Sequence, residues 1–142
     1  MKAAELLRFG FALVVGWTDP EGARPFLGAL LLGYYDADGR LIYAGRAGTG
    51  IGHAELERLW RRLQPLATAT MPLDVPPPRD SRFGSPLVLS RVHWVRPELV
   101  AEVKFLTWTE DNLLRQVVYE GLREDKPAAD VRRPIPHPQP GR

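Results

Sequence analysis

The chain has 142 residues, of which 44% are hydrophobic and 25% are charged, a composition typical of one globular domain. A domain of this size buries about two thirds of its unfolded surface and needs no cross-links. The absence of cysteine excludes disulfides and thiolate metal sites, and the three histidines lack metal-ligand spacing, so no metal site is expected. No apolar run has the length of a signal peptide or a membrane span, which predicts a soluble, cytoplasmic protein.

The basic residues of the chain are almost all arginines. The formal net charge is +2 and the sequence pI is about 9.2, with arginine outnumbering lysine by sixteen to three. Arginine is suited to phosphate contacts because its planar guanidinium donates two parallel hydrogen bonds and stays charged. A GC-rich genome that favours arginine codons gives the same composition, so composition alone leaves both explanations open.

The first third of the chain predicts strands joined by turns. Gly28 and Gly33 indicate bends or a bulge within the second strand. The Asp-Gly pair in residues 36–39 predicts a tight hairpin turn before the third strand. The predicted elements are a helical turn at residues 1–8 and strands at residues 9–17, 26–35 and 41–47.

The periodicity then changes from that of strands to that of a helix. Residues 54–66 predict a helix with one apolar stripe, ended by Pro65. The proline-rich residues 65–86 predict an extended loop. In the strand that follows, Val103 and Phe105 alternate with Glu102 and Lys104, as in a half-exposed antiparallel strand. The remaining predicted strands are at residues 90–95, 99–108 and 113–118.

This order of elements predicts a mainly β fold of the OB type. Three strands in a meander, one helix and then two or more strands is the order of a five-stranded OB barrel, with its helix between strands 3 and 4. Strands 1 and 2 are apolar on both sides, so one face should line the barrel and the other should lie under the helix or the termini. Another small β-barrel and an α+β sandwich remain alternatives. The predicted domain limits are a lead-in at 1–8, an OB domain at 9–130 and a disordered Pro/Arg-rich tail at 131–142.

The charged stretch at residues 121–126 (Gly-Leu-Arg-Glu-Asp-Lys) is the strongest candidate for a functional site. It places Arg123, Asp125 and Lys126 within four positions. The arginine fork suits a phosphate and the lysine adds a mobile point charge. The aspartate between them could hold the arginine in place or balance its charge. An exposed turn that carries these charges only to remain solvated is the alternative.

Several segments together resemble the C-terminal domain of bacterial ATP-dependent DNA ligases of the end-joining ligase D type. The resemblance covers about residues 10–130 and implies an OB fold, in agreement with the order of elements. The segments that carry it are Gly16-Trp17-Thr18, residues 26–35, residues 43–50 (YAGRAGTG), residues 92–105 (VHWVRPELVAEVKF) and residues 121–126.

The resemblance implies two jobs for the domain. By analogy with the terminal Arg-x-Asp-Lys motif of ligases, Arg123, Asp125 and Lys126 would orient the β- and γ-phosphates of ATP during enzyme adenylation. The domain would afterwards help to clamp nicked duplex DNA, and the candidates chosen by position are Arg46, Thr49 and Lys104. ATP and Mg²⁺ are expected only in a complex with a nucleotidyltransferase domain, and not on this chain alone.

The sequence departs from complete ligases in one respect. The nucleophile motif Lys-x-Asp-Gly does not occur, because Lys2, Lys104 and Lys126 are followed by other residues. The paired phosphate-binding lysines that usually close the nucleotidyltransferase domain are also absent near residues 3–5. We therefore expect one half of a ligase, free-standing or excised, that cannot adenylate itself. Its expected partners are broken or nicked DNA and a separate nucleotidyltransferase domain or another end-joining protein, in a nucleoid-associated location.

Two other functions remain open at this stage. The domain could be a plain nucleic-acid-binding OB module in which aromatic rings stack on bases; the candidates are Tyr35, Tyr43, Trp94 and Trp108. It could instead be a non-catalytic protein adaptor that docks through residues 72–78 and the tail, or a remnant with no activity of its own. Most aromatic residues of a small barrel belong to its core, and most proline-rich stretches are passive linkers.

Overall fold

The computed structural model describes residues 8–20, 22–75, 77, 91–108 and 113–132. The predicted helical turn at residues 1–8 lies outside them except for Arg8. The same is true of most of the proline-rich loop beyond residue 75 and of the predicted tail from residue 133 onwards. Among the described residues, no helix is long and apolar enough to cross a membrane.

The strands and the helix follow the predicted order. The third strand has the predicted bounds, and the first begins one residue earlier than predicted. The observed elements are β1 (Arg8–Trp17), β2 (Leu30–Tyr35), β3 (Leu41–Ala47), α1 (His53–Leu63) with a 3₁₀ turn at Gln64–Leu66, β4 (His93–Trp94), β5 (Val100–Phe105), β6 (Thr107–Trp108), β7 (Leu114–Arg115), β8 (Val118–Leu122) and a 3₁₀ turn at Ala128–Asp130.

The main sheet is antiparallel, with strand order β3-β2-β1-β5-β8, and β4 also pairs with β1. Its two edge strands approach each other at one point, where Thr49 forms a parallel bridge with Val118. The amide of Tyr119 donates a hydrogen bond of 2.9 Å to the carbonyl oxygen of Thr49 at this bridge. The mainly β architecture, with one helix between β3 and the later strands, agrees with the predicted OB fold.

The second strand is shorter than predicted because its first residues form a turn. Phe26 has a φ of +70°, which is incompatible with a continuous strand. Gly28 lies so close to the loop before it that an added Cβ would be 2.5 Å from the carbonyl oxygen of Asp19. The predicted bulge is found at Gly33, where the register between β2 and β3 shifts. The hairpin turn that follows is held by the side chain of Asp36, which accepts hydrogen bonds from the amides of Asp38 and Arg40 at 2.9 Å each.

The prediction for the last strand was wrong in its bounds. Residues 113–118 do not form one strand, because Gln116 has a φ of +55° and breaks it. The short β7 pairs with β6, whereas β8 pairs with β5 in the main sheet. The final strand therefore reaches Leu122, and the charged stretch begins inside it.

The sheet has a separate hydrophobic cluster on each face, as the two-sided apolar pattern of strands 1 and 2 predicted. On the inner face, Ala12 and Val14 of β1 pack in a cluster with the apolar stripe of α1, which consists of Leu56, Leu59 and Leu63. On the outer face, Leu13 and Val15 are fully buried in a second cluster. Side chains from outside the helix cover this second cluster, and they are Leu73, Trp94, Leu113 and Val131. The helix thus covers only the inner side.

Candidate functional site

The charged motif forms a turn directly after β8. The amide of Arg123 donates a hydrogen bond of 2.8 Å to the carbonyl oxygen of Val100, which extends the pairing of β8 with β5 by one residue. The chain then turns, and the amide of Lys126 lies 3.5 Å from the carbonyl oxygen of Arg123. Arg123 is half-buried, whereas Asp125 and Lys126 are exposed. The sheet therefore fixes the start of the motif and leaves its charged groups accessible to solvent.

Two carboxylates hold the guanidinium of Arg123. Its Nε and Nη2 atoms donate to the two oxygens of Asp125 at 3.0 and 2.8 Å, and Nη1 donates to Oε1 of Glu102 at 3.3 Å. The hydrogen bond from Arg123 lowers the pKa of Asp125 below its usual value, and the hydrogen bond to Asp125 raises the pKa of Arg123. Asp125 and Arg123 are thus paired, a contact that is compatible with either orienting the arginine or balancing its charge. Glu102 is a second carboxylate that binds Arg123. The sequence had indicated only that Glu102 lies on an alternating strand.

The ring of Phe11 lies beneath both cations of the motif. The guanidinium carbon of Arg123 is 5.2 Å from the ring centroid and Nζ of Lys126 is 4.6 Å from it. An aromatic face attracts cations at such distances. Two residues earlier, Phe9 is 63% exposed, and Nζ of Lys104 is 5.9 Å from its centroid. Sequence reasoning assigned both phenylalanines to a buried strand and did not predict this aromatic surface.

The remaining residue of the motif, Glu124, faces the helix. Its carboxylate accepts hydrogen bonds from Nη1 and Nη2 of Arg62 at 2.6 and 3.1 Å, and Nη2 of Arg58 is 3.6 Å away. Arg62 lowers the pKa of Glu124, and Glu124 raises the pKa of Arg62. The contact joins residues that are 62 positions apart, so no sequence pattern could have indicated it.

The three residues predicted to bind DNA are not gathered at one point. Lys104 pairs with Val118, and Thr49 bridges Val118 from the other side, so these two residues flank the same position of β8. Arg46 lies on β3, where it pairs with Leu31. Arg46 and Thr49 are exposed, whereas Lys104 is one-third exposed, with its Nζ 3.9 Å from Glu120. Lys104 also adjoins the aromatic surface beneath the motif through Phe9.

Two of the four aromatic residues proposed to stack on bases belong to the core. Tyr43 is 7% exposed and Trp94 is 9% exposed. Burial raises the pKa of the Tyr43 hydroxyl to about 12. Trp108 is partly buried, with edge contacts to Tyr34 and Phe105, and Tyr35 is partly buried on the second cluster. Burial of this kind removes most of the ring surface that stacking would need.

The acidic residues of the site are paired with arginines and are not clustered. Within the described ranges, no group of three or more His, Asp or Glu side chains could hold a metal ion. The two cations of the motif suit an anionic group, since both reach solvent on the same turn.

The fold and this turn together define a mainly β domain of the OB type with a cationic motif at the end of its last strand. The sequence model of the family described as "ATP dependent DNA ligase C terminal region" matches residues 23–126. The chain belongs to this family. The match ends at the last residue of the charged motif.

The chain is also similar to longer proteins named for non-homologous end joining. It is 46% identical over 122 residues to the multifunctional non-homologous end joining protein LigD of Pseudomonas aeruginosa, covering 84% of this chain but 14% of that relative. It is 41% identical over 120 residues to LigD of Mycobacterium tuberculosis strain H37Rv, covering 84% of this chain and 15% of that protein. The chain therefore spans about a seventh of the length of the curated relatives it matches.

Two solved structures have the same fold. The ligase domain of M. tuberculosis LigD matches with a TM-score of 0.77 and 38% identity, over 91% of this chain and 39% of that chain. A mycobacterial DNA ligase D complexed with ATP and MES matches with a TM-score of 0.71 and 37% identity, over 89% of this chain and 38% of that chain.

Proposed function

We propose that this domain acts with a nucleotidyltransferase domain in the ATP-dependent joining of DNA ends. In the first step it supplies Arg123, Asp125 and Lys126 to the adenylation site, and in a later step it binds the nicked duplex. The observation that carries this proposal is the paired geometry of the motif: Arg123 is held by Asp125 at 2.8 and 3.0 Å, with Lys126 beside it on one turn. The setting is the cytoplasm, in association with the nucleoid.

The two cations of the motif suit a phosphate chain that carries several negative charges. ATP would supply the adenylyl group, and its departing pyrophosphate gains negative charge as the transfer proceeds. Arg123 would donate to a phosphate oxygen through the N–H groups that its hydrogen bonds to Asp125 and Glu102 leave unused. Lys126 would add a second positive charge nearby. Asp125 would keep the guanidinium in the plane that the phosphate approaches. Cations already in place stabilise such charge without reorganisation during the reaction.

The described residues include no cluster of carboxylates that could hold Mg²⁺. The carboxylates of Asp125 and Glu102 are paired with Arg123, and that of Glu124 is paired with Arg62. We therefore propose that ATP and Mg²⁺ bind only once a nucleotidyltransferase domain supplies the rest of the site. The role of this chain is then to complete a site and not to form one alone.

Adenylation in trans is the direct test of this role. A nucleotidyltransferase domain from a LigD relative would be mixed with this protein, Mg²⁺ and α-labelled ATP, and the labelled protein would be followed with time. The wild-type protein is expected to accelerate labelling of the partner's lysine, whereas Arg123→Ala is expected not to. Arg40→Ala, which removes an exposed arginine paired with Asp36 far along the chain, serves as the matched control. Equal rates with and without the wild-type protein would contradict the proposal.

For the second step we propose contacts from Arg46, Thr49 and Lys104 to the DNA backbone. What supports them is the exposure of Arg46 and Thr49 and the partial exposure of Lys104. Thr49 and Lys104 also flank the same position of β8, at Val118. Binding to a nicked duplex should weaken as salt rises, with a slope of log K against log salt of about −0.9 per phosphate neutralised. Arg46→Ala/Lys104→Ala should reduce that slope by about 2. An unchanged slope would show that Arg46 and Lys104 do not contact the DNA backbone.

A free-standing nucleic-acid-binding module is a second candidate, favoured by the 63% exposure of Phe9 beside Lys104. An exposed ring next to a cation can stack on a base without any partner domain. This function predicts binding of single-stranded DNA that Phe9→Ala abolishes and Arg123→Ala leaves unchanged. The ligase function predicts the opposite pattern in the adenylation assay.

A further inference from the structure

Glu124, the residue that the motif leaves unspecified, connects the motif turn to α1. Arg123 contacts Glu102 of β5 and the ring of Phe11. Glu124 instead binds Arg62 of α1 through two hydrogen bonds of 2.6 and 3.1 Å. We propose that Arg62, assisted by Arg58, is a positioning residue that sets the orientation of the Arg-x-Asp-Lys turn. This inference rests on the proposed adenylation role of the turn, and it names residues outside the motif on which that role depends.

The helix is a suitable anchor because the fold holds it firmly. Leu56, Leu59 and Leu63 are buried in the inner cluster on the opposite side of α1 from its charged residues. A second contact ties the same helix to β8, because the hydroxyl of Tyr119 donates to the carboxylate of Glu55. Burial and, after it, that hydrogen bond raise the pKa of Tyr119, so the tyrosine remains a donor at neutral pH.

The contacts of α1 follow one another along the helix. Glu55 binds Tyr119 and also accepts from Arg58 at 3.2 Å, and Arg58 lies 3.6 Å from Glu124. Arg62, one helical turn further on, completes the series by binding Glu124. The helix therefore contacts β8 and the turn that leaves it along one continuous row of side chains.

This connection is expected to orient the turn at residues 123–126 and to contribute little to the stability of the fold. An exposed ion pair contributes little to the free energy of unfolding, since water competes for both charges. Yet Glu124 lies between Arg123 and Asp125, so holding its side chain restricts the two backbone dihedrals that separate the guanidinium from its carboxylate holder. A site held in its productive geometry before the substrate arrives loses less entropy on binding.

The chain offers a matched control on the same helix. Arg61 forms an exposed pair with Glu57 at 2.5 Å, of the same type and one residue away, and neither residue of that pair contacts the motif. The test compares Arg62→Ala and Glu124→Gln with Arg61→Ala, and includes Arg62→Lys as the conservative variant. Melting temperatures are expected to differ from wild type by no more than about 3 °C for all four variants.

The first readout does not involve ligase activity. Backbone amide dynamics of residues 123–126 would be measured by NMR in the complete protein. Arg62→Ala and Glu124→Gln are expected to lower the heteronuclear NOE of these amides, while Arg61→Ala leaves them at wild-type values and Arg62→Lys recovers at least half of the loss. Unchanged order in Arg62→Ala and Glu124→Gln would overturn the inference.

The second readout is adenylation in trans at a series of ATP concentrations. Arg62→Ala and Glu124→Gln are expected to slow the reaction about 5- to 10-fold at saturating ATP, with the reacting groups still present but misplaced, and Arg61→Ala is expected to match wild type. Wild-type stimulation that all variants retain would refute the positioning role alone. Local order that depends on Glu124, in a wild-type protein that gives no stimulation, would support the inference on the turn and reject the proposed function.

Discussion

The outer face of β1 has two halves that differ in what lies over them. In the covered half, Leu13 and Val15 are fully buried beneath side chains of other segments. In the open half, Phe11 is only partly buried and Phe9 is 63% exposed. All four side chains belong to one strand and project from the same side of it, so strand geometry does not distinguish them.

The difference lies in the rest of the chain. Leu73 and Trp94 belong to the cluster that buries Leu13 and Val15. Three cations, Lys104, Arg123 and Lys126, lie over the rings of the open half. Burial of apolar surface stabilises the fold in the first region. In the second, the apolar rings support charges that remain accessible to a ligand. The same strand thus contributes stability at one end and the candidate chemistry at the other.

The largest expected effect is a difference in stability between a variant of the covered half and a variant of the open half. Leu13→Ala should lower the free energy of unfolding by about 2–5 kcal/mol, because it leaves a cavity in a fully buried cluster. Phe9→Ala, on the same face of the same strand, should change it by less than about 1 kcal/mol because its ring is mostly in water. Urea denaturation monitored by tryptophan fluorescence measures both. Similar losses from the two variants would mean that the open half is covered in solution.

The second prediction concerns activity, for which the larger effect is expected from the residues over the open half. Arg123→Ala should slow adenylation in trans by about 10²- to 10³-fold, the usual cost of removing one donor to developing charge. Its midpoint of urea denaturation should stay close to that of wild type, since water competes for the charges of ion pairs at the protein surface. A loss of activity matched by an equal loss of folded protein would assign Arg123 a structural role.

The third prediction concerns the support that Phe11 gives to the cations. A double-mutant cycle of Phe11→Leu with Lys126→Met should give a coupling energy of about 0.5–1 kcal/mol, as for an exposed cation–π contact. The matched cycle of Phe9→Leu with Lys126→Met should give a coupling near zero. Denaturant unfolding of the six proteins, wild type included, supplies both values. Equal coupling in the two cycles would show that Lys126 does not discriminate between the rings.

The smallest expected effect is on the pKa of Asp125. Because Arg123 lowers the pKa of Asp125, the pair contributes stability above the usual pKa of an aspartate, and this contribution is lost as pH falls through the lowered value. Arg123→Ala should therefore raise the pKa of Asp125 toward its ordinary value, as followed by carboxyl ¹³C shifts. Glu124 is the internal control, because Arg62 lowers its pKa independently. A parallel rise at Glu124 would indicate that the whole turn had rearranged.

Local patterns predicted the parts of the fold that depend on neighbouring residues. The alternation of Val103 and Phe105 with Glu102 and Lys104 correctly gave the buried and outward sides of β5. The bounds of the last strand were wrong because the positive φ of Gln116 is not encoded by any glycine or proline. The resemblance to DNA ligases, carried by longer segments, correctly indicated the family.

The sequence indicated the candidate residues of the site but not the residues that surround them. Arg123, Asp125 and Lys126 are adjacent in sequence, and their roles remain predictions. Glu102 and Phe11 reach them only through the registers of β5 with β8 and of β1 with β5. Those registers depend on pairings between distant segments, which no local pattern specifies. The same holds for Arg62, which meets Glu124 through the packing of α1.

The segment that follows the motif bears on how the chain can be shortened. The amide of Tyr35 donates to the carbonyl oxygen of Val131 at 2.9 Å, and Nη1 of Arg132 donates to the carbonyl oxygen of Asp36 at 2.6 Å. The motif is therefore a loop fastened at both ends, from β8 to the edge of the β2–β3 hairpin. A chain cut after Lys126 would keep every residue of the motif and lose its downstream fastening, together with the side chain of Val131 from the outer cluster. A trimmed or fused variant that retains residues through 132 would preserve both.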